Sequence, residues 1–193
     1  MARPRVFDVD KAVETATDLF WRNGYEATSL ADLTAAMGIT PPSFYYAFSS
    51  KYGLFKRVLE HYTTTRLSYA EDALNQPTAR DVAEQTLLRL VDLYTDPTRP
   101  PGCLIMNNAL PCNENSTPLH RELAGSRAAR RARLCDRLIR AQTDGDLPAD
   151  CDPDGLAGLI LVVGWGLAFA AQSGATRDDL QRTVATALKA WPS

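Results

Sequence analysis

The stretch Gly38–Phe55, GITPPSFYYAFSSKYGLF, brings together hydroxyls, phenols and an ammonium: Thr40, Ser43, Tyr45, Tyr46 and Lys51. Groups of this kind hydrogen-bond to phosphate oxygens and to the edges of bases. They are poorly supplied for catalysis. No acidic residue lies between Asp32 and Glu60, so these hydroxyls have no nearby carboxylate in sequence to act as a base. The chain has no GxSxG, no HExxH and no glycine-rich phosphate loop. Its two histidines, His61 and His120, are far apart, and Cys103, Cys112, Cys135 and Cys151 form no CxxC pair. An enzyme, a bound cofactor, a zinc site and a disulfide framework are therefore not expected.

Charge points the same way. The chain has 193 residues and a net charge of −2, yet the charge is unevenly spread. Lys51, Lys56 and Arg57 fall in the segment without acids, and Arg3 and Arg5 lead the chain. A protein that is acidic overall can still present a basic face to a polyanion. Residues 121–140 hold seven arginines against Glu122 and Asp136. Those arginines are spread around a helix, which reads as a solvated face with salt bridges. The N-terminus has no apolar core of a secretory signal. The longest apolar run, Leu156–Ala171, has sixteen residues and three glycines, short for a bilayer span. A soluble, cytoplasmic protein is expected.

Helices must position these groups. Val9, Ala12, Val13, Ala16, Leu19 and Phe20 share one helical face, with Asp8 or Asp10 to cap it and Gly24 to end it. Ser29 opens a short helix with Asp32 at its third position, a variant of the capping box, and Gly38 stops it. Thr40 is a suitable N-cap, and Pro41 then occupies the first helical position, where no backbone N–H is needed. The prolines thus start a helix. Phe44 and Phe48, four residues apart, face a core, and Tyr45 and Tyr46 point away from it. Two short helices joined at a glycine turn make a helix-turn-helix. Ser50 caps the next helix, with Leu54, Phe55, Val58, Leu59 and Tyr62 as its apolar stripe. The turn residues of Ala70–Thr78 should end it. Further helices are expected near 79–94, 103–110, 119–142, 153–173 and 177–190, with no strand and no internal repeat.

The segment Gly24–Phe55, GYEATSLADLTAAMGITPPSFYYAFSSKYGLF, resembles the DNA-binding module of the tetracycline-repressor (TetR) family. The Gly-Tyr after the first helix, the Thr-Ser before the second, the Gly-Ile turn, the Phe-Tyr-Tyr-x-Phe segment and the Ser-Lys opening the fourth helix carry the likeness. It covers about fifty residues closely, and the remaining helices fit the family's regulatory domain loosely. The resemblance implies an all-α protein: a three-helix DNA-binding domain over 1–50, and a helical ligand-binding and dimerisation domain over 51–193. It implies a homodimeric repressor released from a near-palindromic operator by a small-molecule effector. Thr40, Pro41, Pro42, Ser43, Tyr45 and Tyr46 match positions that face DNA. Ser29 matches a contact at the second helix, and Lys51 a phosphate contact. Ala47 departs from the His or Tyr of many relatives, which removes a phosphate contact there.

Physical chemistry adds detail. Helix starts at Ser29, Thr40 and Lys51 suit phosphates. No Arg, Asn or Gln lies in 40–49, so specificity falls to thymine-methyl packing, to Ser43, and to DNA shape read by Arg3 and Arg5. Tyr45 and Tyr46 have packing as an alternative role. Cys103, at the start of a short helix, is either an electrophile- or oxidant-sensing thiol or a small buried hydrophobe. Met106, Asn107 and Asn108 line a ligand pocket or simply pack and cap, and Trp165 is placed with the pocket. Gly158, Gly164 and Gly166 are expected to let a partner helix approach. Leu180, Val184, Ala187, Leu188 and Trp191 should complete that interface. A protein-interaction module without DNA binding is the rival reading, but it would have no need of the capped N-terminal trio.

Overall fold

A computed structural model describes residues 7–108 and 117–192. Arg3, Arg5, Leu110 and Cys112 lie outside the described residues. Within them the chain is helical and no strand occurs. The order is α1 Val9–Asn23, α2 Leu30–Met37, α3 Pro41–Phe48, α4 Lys51–Arg66, α5 Tyr69–Leu74 and α6 Ala79–Tyr94. Then follow α7 Leu104–Asn107, α8 Thr117–Thr143, α9 Pro153–Gln172, α10 Arg177–Ala187 and a 3₁₀ turn, Leu188–Ala190.

Local side-chain chemistry sets the starts of the N-terminal helices. Asp8, not Asp10, caps α1, accepting from the amides of Asp10 and Lys11. Ser29 and Asp32 form a reciprocal capping box at α2. Thr40 caps α3 ahead of Pro41, and Ser50 caps α4 through the Gly53 amide. Such caps each contribute about 1 kcal/mol. Gly38 closes α2 at φ 65°, ψ 34°, the left-handed conformation that glycine adopts without a steric penalty.

The α3–α4 corner is tighter than the sequence suggests. Ser49 turns the chain at φ 62°, unusual for a residue with a side chain. The Ser50 amide then donates to the Phe48 carbonyl at 2.7 Å. A Cβ on Gly53 would sit 2.1 Å from that carbonyl oxygen, well inside van der Waals contact. The fourth helix can begin here only because Gly53 has no side chain.

α1 packs on α2 and α4, while α9 packs on α6, α8 and α10. Phe20, Phe44, Phe55, Trp21 and Tyr62 are fully buried around α1 and α4. Phe20 meets Phe55 edge-on at 5.3 Å, and Trp21 meets Tyr62 edge-on at 5.1 Å. Such aromatic pairs add about 0.5–1.5 kcal/mol beyond burial.

Three expectations need correction. The segment expected to be a turn carries α5: α4 stops at Arg66, Leu67 closes it, and the chain restarts a helix at Tyr69. Leu180, Val184, Leu188 and Trp191 do not wait for a partner, because they are buried within the bundle. Nor does Gly164 face a second molecule. A Cβ there would lie 2.8 Å from Leu90 Cδ1 on α6, and one on Gly158 would meet the Arg131 guanidinium at 3.3 Å. These two glycines serve contacts inside the chain. Gly166 alone of the three is open, on the exposed side of α9.

Candidate nucleic-acid interface

Thr40, Pro41, Pro42, Tyr45 and Tyr46 are all exposed along α3, and Ser29 is exposed at the start of α2. Tyr46 is 94% exposed and Tyr45 52%, while Phe44 and Phe48 on the same short helix are buried. The helix is therefore divided cleanly between an inner phenylalanine face and an outer phenol face. Tyr45 keeps one edge on Phe44, with ring centroids 5.6 Å apart.

The hydroxyls are already partly engaged. Ser29 Oγ donates to Asp32 Oδ2 at 2.6 Å, so its proton points inward. Those bonds from the Ser29 hydroxyl and amide hold the Asp32 carboxyl below the usual carboxylate range. Thr40 Oγ1 and Ser43 Oγ are 3.0 Å apart and share a hydrogen bond. Ser43, half-buried, meets bases only by rotating away from Thr40.

Lys51, the first residue of α4, lies with its ammonium 4.3 Å from the centroid of the Tyr25 ring. Burial lowers its pKa from the ordinary lysine value, and nearby Glu26 pulls the other way. Lys56 approaches the Tyr52 ring and Arg57 the Phe48 ring, so all three cations of this segment lie against aromatic faces. Each ring fixes a positive charge in place while leaving it close to water.

Tyr25, which the sequence reading treated only as part of a motif, joins the interface to the rest of the fold. Its ring stacks on Phe20 and meets Phe55 edge-on. Its amide donates to Asn108 Oδ1 at 2.6 Å. Asn108 Nδ2 donates to the carbonyls of Phe20 and Leu104, at 3.2 and 2.7 Å. The neighbouring Asn107 donates to the Trp21 carbonyl at 2.8 Å and accepts from Gln172 at the end of α9. Two consecutive asparagines thus tie the last turn of α1 to α7 and α9. A second tie is Tyr52, whose hydroxyl donates to Glu122 on α8 at 3.2 Å.

The residues assigned to a ligand pocket gather around two adjoining spaces. Cys103 is buried, and Tyr62 Oη donates to its sulfur at 3.5 Å. With Met106 and Trp165 it lines a pocket of only 30 Å³. Met106, Asn107 and Trp165 also line an open groove of 310 Å³ beside Gly24 and Phe169. An apolar cavity of 440 Å³ lies elsewhere, bounded by α4, α5, α6, α8 and α9. Its lining includes Leu67, Tyr69, Leu90 and Ile160, none of which stands out in the sequence. Among the described residues no three His, Cys, Asp or Glu side chains converge on a metal position.

Comparison with known proteins agrees with this geometry. Residues 12–58 match the family model of bacterial regulatory proteins of the tetR family. Residues 83–187 match the tetracyclin repressor-like C-terminal domain. The chain is 32% identical over 192 residues to the HTH-type transcriptional repressor ComR of Escherichia coli strain K12, covering 98% of this chain and 91% of ComR. A cysteine mutant of the TetR family transcriptional regulator CifR, solved with 26 bp of double-strand operator DNA, superposes with a TM-score of 0.94. It is 40% identical, over 98% of this chain and 100% of that one. A TetR regulator from Chloroflexus aurantiacus shares the fold at a TM-score of 0.82 and 21% identity, over 93% of this chain and 91% of its own. The chain belongs to the TetR family of bacterial transcriptional regulators: it is a DNA-binding protein and not an enzyme.

Proposed function

We propose that this chain is a cytoplasmic, homodimeric repressor that holds a near-palindromic operator and releases it when a small molecule enters the 440 Å³ cavity. The observation that carries the reading is the outer face of α3. Two phenols and two prolines stand in water on a helix whose other side is fully used by the core. Pro42 and the tyrosine rings suit thymine methyls, and the phenol hydroxyls suit phosphates. Lys51, Thr40 and Ser29 place helix N-termini toward the same polyanion. Affinity for a duplex selected from the source genome should exceed that for a scrambled duplex by about a thousandfold. Lys51→Ala should weaken both and reduce the salt slope by about one unit. Equal affinities for the two duplexes, or an unchanged slope in a folded Lys51→Ala protein, would refute the respective assignments.

Dimerisation is assigned to α9. Leu159, Val162 and Phe169 are exposed by 43%, 58% and 69%, and open Gly166 falls between the last two. Their spacing of three, four and three residues is that of a helix–helix seam. By length and composition α9 would also suit a bilayer, but its other faces pack on α6, α8 and α10. Two copies meeting along this stripe would cover it about a two-fold axis. Val162→Asp should leave the fold intact, since the side chain already meets water, and convert a sedimenting dimer to a monomer. A Val162→Asp dimer as stable as wild type would move the interface elsewhere.

A further inference from the structure

We propose that the regulatory cavity selects an apolar monocarboxylate, its head group held by Arg130 and the Tyr69 hydroxyl. The inference rests on the effector reading above and names the ligand chemistry. Leucine, isoleucine and alanine make up half of the lining residues, and most of the lining surface is apolar, which suits an apolar body. Its 440 Å³ falls within the roughly 300–1,000 Å³ of ligand sites.

The charged groups in the lining, Arg130 and Arg133, are of one sign, and Thr63, Thr64, Ser68, Thr86 and Ser126 add neutral hydroxyls. Tyr69 lines the cavity, and its hydroxyl is buried without a hydrogen-bond partner. Burial raises the phenol far above its ordinary value, so it remains protonated with its O–H available to donate. Arg130 lines the cavity as well and lies near enough to Tyr69 and Tyr94 to act on both phenols. It also borders the adjoining 30 Å³ pocket, as does Arg127, whose Nη1 is buried and unpartnered. No carboxylate lines either space among the described residues. Buried donors left unpaired, as the Tyr69 hydroxyl and Arg127 Nη1 are, are costly. A carboxylate would satisfy the Tyr69 hydroxyl and the guanidinium together, through charge-assisted hydrogen bonds that a neutral oxygen makes only weakly. An ammonium head would face arginine and be rejected.

The test uses the full-length protein with octanoate and octanol, which share a body and differ in the head. Calorimetry should give octanoate an affinity about tenfold or more above octanol. Phenylpropionate, in a third titration, separates a chain-shaped from a ring-shaped body at a constant head group. Arg130→Gln should bring octanoate and octanol to within about twofold of one another, and Arg130→Lys should restore part of the preference. Tyr69→Phe, which removes one oxygen, should weaken octanoate several-fold and serves as the test if Arg130→Gln does not fold. The proposal is overturned if octanol binds wild type as tightly as octanoate, if Arg130→Gln keeps the preference, or if no carboxylate binds a protein that still holds its operator. Operator release is followed in the same samples. Carboxylate binding without release would uphold the cavity chemistry and refute the effector role, so the two readings fail separately.

Discussion

Gly53→Ala should destabilise the protein by about 3 kcal/mol and abolish operator binding, although alanine is otherwise the better helix former. The new Cβ would stand 2.1 Å from the Phe48 carbonyl oxygen, which belongs to the backbone and has no rotamer by which to escape. Relief requires α3 to move away from α4. That movement would shift Tyr45 and Tyr46 relative to Lys51, so the phosphate and base contacts would no longer be met at once. A drop in melting temperature of roughly ten degrees should accompany the loss. Ser49, held at φ 62° beside the same corner, supplies a control. Ser49→Gly should raise stability by up to about 1 kcal/mol, because glycine takes that conformation without strain. An alanine variant at position 53 with unaltered melting and operator affinity would show that the corner tolerates bulk and that the geometry described for it is wrong.

The second large effect is expected at Asn108. This side chain is buried, and every polar atom on it has a partner: the Tyr25 amide and the Phe20 and Leu104 carbonyls. Asn108→Leu should cost about 2–3 kcal/mol, since it strands the Tyr25 amide and takes one of two hydrogen bonds from each of the Phe20 and Leu104 carbonyls. Asn108→Asp is the sharper substitution. It keeps the acceptor for Tyr25 but loses both donors and sets a carboxylate against two carbonyls. Chemical denaturation should rank wild type above Asn108→Asp by several kcal/mol. Hydrogen exchange at the Tyr25 amide should accelerate in Asn108→Leu, where that donor has lost its acceptor. An Asn108→Asp protein as stable as wild type would mean that the amide does not hold α1 to α7.

The contrast between these two sites marks what the sequence discloses. Caps at Ser29, Thr40 and Ser50 were legible because each links residues three apart. The division of α3 into Phe44 and Phe48 against Tyr45 and Tyr46 was legible from helical spacing alone. Asn108 was not, because its partners lie 83 and 88 residues away and nothing local distinguishes it from a capping asparagine. Trp21 escaped for a similar reason: its burial depends on Tyr62, from a different helix. Glycines along α9 announce close packing without saying on which side. Gly164 packs against Leu90 and Gly166 lies open, and only the placement of α6 distinguishes them. The cavity is the extreme case, since Tyr69, Arg130 and Ile160 come from three helices with no shared motif.

The exposed stripe on α9 has a consequence for gene dosage. A reader assembled from two identical halves is present in proportion to the square of the free protomer whenever most protomers are single. Halving expression would then remove about three-quarters of the operator-competent species, by mass action alone. On the interface proposed for α9, Leu159, Val162 and Phe169 would set a threshold as well as a contact. Strengthening the seam would make the operator respond to the effector alone, whereas weakening it would make transcription track protein copy number. Substitutions on the outer stripe of α9, on the side away from its cavity-lining Ile160 and Leu161, would in this way tune how sharply the gene is switched.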